Sequence, residues 1–208
     1  MQSHFSLFRS HLEAVHFFWE AHLKHHAGNI LDATLGQGKD SFYLAEIALE
    51  NPSSPFHQNR KLFAVDIQKQ SLDAARLMLE KGLPQQVMQK ISLIQSCHSD
   101  LNFSAMSPLT LIVYNLGYLP GGDKSITTQT ATTQKSIELA LDVVSDGGMI
   151  TITCYPGHDE GKNELIMLCD YLWNLPKKKW SVTHLQFAKE TSSAPTLWVI
   201  QKSISAEI

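Results

Sequence analysis

The sequence predicts an α/β fold, with a seven-stranded, mostly parallel sheet covered by helices on both faces and finished by a C-terminal antiparallel hairpin. Three observations carry this. Short apolar runs alternate with helical periodicity along most of the chain. Two early runs end in carboxylates, Asp32 and Asp66. The last two runs, Val182 to Phe187 and Leu197 to Gln201, have only a loop from Glu190 to Pro195 between them, so they are expected to pair antiparallel.

Taken in order, Phe8, Leu12, Val15, Trp19 and Leu23 recur at three- and four-residue steps, which predicts a helix running until Gly28. Asn29 to Thr34 reads as a short buried strand, followed by a glycine turn and a helix from Asp40 to Leu49. Pro, Ser, Asn and Gln between Asn51 and Arg60 predict a surface loop. A strand from Leu62 to Ile67 and a helix from Ser71 to Lys81 follow. Further strands are expected at Ile91 to Gln95, Leu109 to Tyr114 and Met149 to Cys154, with helices near Gln134 to Val144 and Asp159 to Leu175.

With 208 residues, the chain is expected to form one domain over 1–208, its first 28 residues supplying an N-terminal helix that packs on the sheet. Hydrophobic residues at 43% and charged residues at 18% exclude a disordered or fibrous composition. A net charge of -3 offers no global basic field for nucleic acid, so any RNA contact must be local. Lys177, Lys178 and Lys179 form one basic run, of a kind that is usually solvated surface. Cys97, Cys154 and Cys169 are odd in number and lack a C-x-x-C pair, which argues against a disulfide framework or a zinc site and fits a reducing cytoplasm. No apolar run approaches membrane-spanning length.

The first chemical constellation is Asp32-Ala33-Thr34-Leu35-Gly36-Gln37-Gly38-Lys39-Asp40, a strand-end carboxylate followed by glycines where backbone must turn beside a ligand. The glycines would let the chain approach the methionine part of S-adenosylmethionine (SAM), with Asp32 meeting its ammonium directly or through water. A ligand-free tight turn and a dinucleotide site are the competing readings. Ser41 in place of the third glycine of G-x-G-x-x-G counts against the latter. In the second constellation, Leu62 to Ile67, Asp66 can accept from ribose hydroxyls, with Ile67 and Gln68 flanking the adenine. His98 or Asp100, after the third strand, could accept from the exocyclic amine.

The most distinctive segment runs from Val113 to Lys124, in which Asn115-Leu116-Gly117-Tyr118 is similar to the N-P-P-Y signature of methyltransferases acting on amino nitrogens. There, oxygens hold the nitrogen in line with the sulfonium and an aromatic ring stacks on the base. Together with Asp32 to Asp40 and Tyr155-Pro156-Gly157-His158-Asp159-Glu160-Gly161, it resembles the bacterial family first labelled putative rRNA methylase, from about Phe8 to Lys202. That resemblance implies a Rossmann-like class I methyltransferase fold. It also implies SAM as cofactor, the tRNA anticodon region as substrate, and methylation of the aminomethyl nitrogen of wobble 5-aminomethyl-2-thiouridine.

The expected cofactor residues are Asp32, Thr34, Gly36, Gln37, Gly38, Asp40, Asp66, Ile67, Gln68, His98 and Asn115. For catalysis, Asn115 would orient the amine and Tyr118 the uracil ring, while Asp123 and His158 are candidates to receive the proton an alkylammonium must lose. Leu35 and Gln37 depart from the small residue and Asn common in the family, and the Asn51 to Arg60 loop is longer than typical. The residues alone leave open an rRNA or small-molecule methyltransferase, or a non-catalytic SAM-binding module. His22, His25 and His26 read as a helix end rather than a metal site, since no Cys or carboxylate completes a tetrahedron. Phe17, Phe18 and Trp19 read as core or as the contact of a homodimer, and Cys154 as buried packing.

Overall fold

The computed structural model describes residues 8, 10–50, 56, 59–119, 121, 126–187 and 193–204. Its elements are α1 (His11–Leu23), β1 (Asn29–Asp32), α2 (Lys39–Leu49), β2 (Leu62–Asp66), α3 (Lys69–Gly82), α4 (Gln85–Met88), β3 (Ile91–Gln95), β4 (Leu109–Leu116), α5 (Thr130–Val143), β5 (Val144–Cys154), α6 (Asp159–Trp173), β6 (Trp180–Leu185) and β7 (Thr196–Lys202). Short 3-10 turns at His98–Asp100 and Phe103–Met106 join β3 to β4.

The seven strands form one sheet in the order β3-β2-β1-β4-β5-β7-β6. Every pair is parallel except those of β7, which runs antiparallel to both β5 and β6. The expected fold and its closing hairpin are therefore present. From β1 the chain winds outward through β2 to β3, then crosses back to β4 on the other side of β1. This reversal opens a crevice at the carboxyl ends of β1 and β4, where open α/β sheets bind ligands.

Side-chain alternation along the strands supplies two large cores, beside a small cluster of Leu35, Ala64, Leu72 and Ala75. Ile30, Leu111, Val113, Leu197 and Val199 pack with Val15 and Trp19 of α1 and Leu44 and Ala45 of α2. Leu31, Ile112, Tyr114, Ile150, Ile152 and Trp198 pack with Ile137 and Ala140 of α5 and Leu168 and Leu172 of α6. Trp19 is buried and donates from Nε1 to the Thr151 hydroxyl at 2.9 Å, which sets the rotation of α1 on the sheet. Phe17 points outward, so the aromatic stripe divides between core and surface. Cys154 is wholly buried and its thiol is pushed up to about 12 by that burial, consistent with packing rather than reactivity.

Helix α1 stops at Leu23, short of the expected Gly28, and the buried Arg60 satisfies carbonyls at and just beyond its end. The guanidinium donates to the Gly28 carbonyl at 2.9 Å and to the carbonyls of Leu23 and His26. Of the predicted Asn51 to Arg60 loop, only Phe56, Asn59 and Arg60 fall within the described residues.

Candidate active site

The turn after β1 is built around Asp32. Its Oδ1 accepts the Thr34 amide at 3.1 Å and its Oδ2 accepts the Ser41 hydroxyl at 2.7 Å, so both oxygens are engaged. The carboxyl is wholly buried and raised to about 7, chiefly by desolvation and further by the charges of Asp40 and Asp66. Asp32 thus shapes the turn from behind, and Thr34, Gly36 and Gln37 form the cavity wall in its place. The Asp32 carboxylate, expected to meet a ligand ammonium directly or through water, lies off that wall, with Ser41 from the first turn of α2 on one side of it. Gly38 likewise stands off the wall. It caps α2 with φ +80°, and a Cβ there would lie 2.8 Å from the Cβ of Ala75, so its absence lets the turn and α3 meet.

At the tip of β2, Asp66 accepts the Gly36 amide at 2.9 Å on Oδ2 and the Gln68 amide at 2.8 Å on Oδ1. Burial raises its carboxyl above the ordinary range. The Ser71 side chain also bears on this carboxyl, and the residue lies on the cavity wall beside Ile67 and Gln68. Ile67 is 59% exposed, an apolar surface held open at a strand end. The His98 ring also lines the cavity. Its Nδ1 is buried without a hydrogen-bond partner among the described residues, and burial lowers the ring to about 4, so it is neutral. Asp100, the alternative to His98, instead pairs with Lys135 at 3.1 Å in solvent.

The tip of β4 is tied to the same turn. The Asn115 amide donates to the Thr34 hydroxyl at 2.7 Å, and its side-chain Nδ2 donates to Asp40 Oδ2 at 2.7 Å. Behind Asp40, His16 Nε2 lies 3.7 Å from Oδ1. The glycine-rich loop that follows is pinched at its base, where Thr128 donates to the Gly117 carbonyl at 3.1 Å and Tyr118 bridges Thr127. Tyr118 places its ring 5.3 Å from that of His158, both on the cavity wall. Asp123 lies outside the described residues. His158 is the N-cap of α6, its Nδ1 accepting the Gly161 amide at 3.0 Å. A neutral ring in that role carries its proton on Nε2 and so faces its surroundings as a donor; receiving a proton there would cost the cap.

Several contributors have no local signature. His11, Leu12 and Val15 of α1 wall the cavity, and the Tyr155 hydroxyl, pushed up to about 12 by burial, lies 3.3 Å from His11 Nε2. Glu160 accepts the Thr130 amide at 2.6 Å and its hydroxyl at 2.8 Å, capping α5 from a different helix. The buried Glu164 accepts from the hydroxyls of Thr128 at 3.0 Å and Thr133 at 2.7 Å. Its one sequence signal is an acid at a position of α6 whose neighbours, Leu168 and Leu172, are core. The two glutamates hold the returning end of the glycine-rich loop.

The resulting cavity has a volume of about 710 Å³, within the range of small-molecule sites. One end offers ring-sized apolar walls and an acceptor pair on Asp66. The other, at Asn115, Tyr118 and His158, offers polar groups and an aromatic ring.

The model of the family described as Putative rRNA methylase matches residues 62–201. A crystal structure of a putative rRNA-methylase from Clostridium thermocellum is 28% identical, with a TM-score of 0.82 over 94% of this chain and 98% of that one. A putative methyltransferase from Streptococcus mutans, in complex with SAH, is 26% identical with a TM-score of 0.77 over 94% of this chain and 99% of that one. A chloroplastic tRNA (mnm(5)s(2)U34)-methyltransferase from Arabidopsis thaliana is 28% identical over 170 residues, which are 81% of this chain and 61% of that protein. The chain thus spans less than two thirds of that relative's length. With a matched segment that covers well over half the sequence and includes Asp66, Asn115 and His158, the chain belongs to the Putative rRNA methylase family.

Proposed function

We propose that the protein is a SAM-dependent methyltransferase that methylates the aminomethyl nitrogen of a wobble 5-aminomethyl-2-thiouridine in tRNA. The observation that carries this reading is the joining of Asn115 to the cofactor turn. Its backbone and side chain are held by Thr34 and Asp40, so the Asn-Leu-Gly-Tyr segment and Asp66 face one cavity.

The residues fit SAM. Asp66 presents a carboxylate acceptor to a ribose diol, Ile67 offers an apolar face to adenine, and the Nδ1 of buried His98, without a partner among the described residues, suits a polar edge. The wall at Gly36 and Gln37 leaves room for the amino-acid portion. When bound, SAM supplies an electrophilic methyl group on a sulfonium. Asn115 presents an amide to the acceptor nitrogen, and Tyr118 offers a ring against which a pyrimidine can lie. Both are anchored to strands or bridged loop bases, so the rate is expected to come mainly from positioning. Because His158 Nδ1 is occupied as a helix cap, the acceptor's proton is expected to leave by another route.

The 28% identical Arabidopsis relative supports the wobble-uridine substrate, and the SAH bound to the Streptococcus protein supports the cofactor. Among the described residues no helix is long and apolar enough to cross a membrane. The test is transfer of labelled methyl from SAM to tRNA carrying 5-aminomethyl-2-thiouridine, compared with tRNA lacking it and with ribosomal RNA. Label confined to the first, recovered as the methylaminomethyl nucleoside, is the expected result. Labelling of ribosomal RNA alone would overturn the substrate.

A further inference from the structure

We infer that Asp40 is a positioning residue for methyl transfer, fixing the Asn115 amide so that its carbonyl oxygen faces the acceptor amine. The inference rests on the function proposed above and removes Asp40 from the set of cofactor ligands. A carboxylate can only accept hydrogen bonds, so the 2.7 Å contact admits one orientation of the amide, with Nδ2 on Asp40. The opposite orientation would set two oxygens against each other. Nδ2 being committed, Oδ1 is the end of Asn115 left to the cavity that the residue lines. An acceptor is what an amine requires there: an N–H directed at Oδ1 turns the nitrogen lone pair away from Asn115.

Asp40 is itself held. It sits in the first turn of α2, where the helix dipole favours a carboxylate, and His16 of α1 stands 3.7 Å behind its other oxygen. The His16 ring stacks on Tyr43 with centroids 3.8 Å apart, which restrains it. The Asn115 backbone amide is fixed separately by Thr34. Asp40 therefore governs the direction of the amide rather than the place of the strand.

The experiment compares wild type, Asp40→Asn and Asp40→Ala as full chains, with SAM affinity measured by calorimetry and turnover measured on tRNA carrying 5-aminomethyl-2-thiouridine. An Asn at position 40 still offers an oxygen to Nδ2, whereas Ala offers nothing. The expected result is kcat lowered about 30- to 100-fold in Asp40→Ala and about 3- to 5-fold in Asp40→Asn, with SAM affinity within about 3-fold of wild type in both. Unchanged kcat in Asp40→Ala would overturn the assignment. So would loss of SAM affinity with kcat kept at saturating SAM, which would make Asp40 a cofactor ligand. Equal losses in the two variants would also overturn it, in favour of the charge alone. Wild type inactive on this tRNA yet binding SAM would instead reject the substrate reading and this inference with it.

Discussion

Asp66 accepts the backbone amide of Gly36 across 2.9 Å, so the carboxylate ending one strand holds the turn that follows its neighbour. Replacing it removes both the proposed ribose contact and a brace. Asp66→Ala is expected to weaken SAM binding by about 1.5–3 kcal/mol, roughly 10- to 150-fold, the range for hydrogen bonds to a charged group. Titration calorimetry checks this, and wild-type affinity in the variant would rule out the ribose contact.

Gly38 and Gly121 share φ +80° but differ in their surroundings. Gly38→Ala adds a methyl 2.8 Å from Ala75 to the backbone strain, and should cost about 2–4 kcal/mol in denaturant unfolding. Gly121→Ala meets nothing within 4 Å among the described residues and should cost about 1–2 kcal/mol from the backbone. Equal losses would show that contact with α3 contributes nothing.

Asp32, raised to about 7, binds its proton more tightly in the folded protein than in the unfolded chain. Its contribution to stability is therefore full below about pH 4 and is lost as pH rises through about 7. Asn stays neutral throughout and keeps an oxygen for the Thr34 amide. The stability of Asp32→Asn relative to wild type should thus increase by about 2–4 kcal/mol between pH 4 and pH 8, read from paired denaturant melts. His22, buried and lowered to about 4, acts in the opposite sense and costs stability as pH falls below its ordinary value of 6.5. Only the difference between variant and wild type isolates Asp32.

His158→Ala should lower stability by about 1 kcal/mol through the lost cap, and His158→Asn should recover most of it. If the ring is a cap and a wall, the acid limb of the pH–rate profile in His158→Asn will lie where wild type has it. Disappearance of that limb would restore His158 as the proton acceptor.

How far these features could be read in advance depended on how local their causes are. Alternating apolar runs and strand-end acids are local, and the strands, the closing hairpin and the place of Asp66 at a strand end followed from them. The start of α5 was expected near Gln134 but lies at Thr130, because its cap is Glu160, thirty residues on. The position of Asp32 was legible and its surroundings were not, since the Ser41 hydroxyl meets it only once α2 has folded back. The cavity wall at His11 and Val15 has the same character: helical spacing predicts an apolar face, not the pocket it covers.

The insertion of β7 between β5 and β6 bears on how the protein is made. A nascent chain that has released everything through Leu185 still lacks the strand to which β6 zips, and the edge of β5 stays bare until residues 196–202 emerge. Truncation before Thr196 would therefore strand two edges at once and leave Trp180 and Ile152 without their neighbours. Such fragments should be cleared by proteases or aggregate rather than persist as a shortened enzyme.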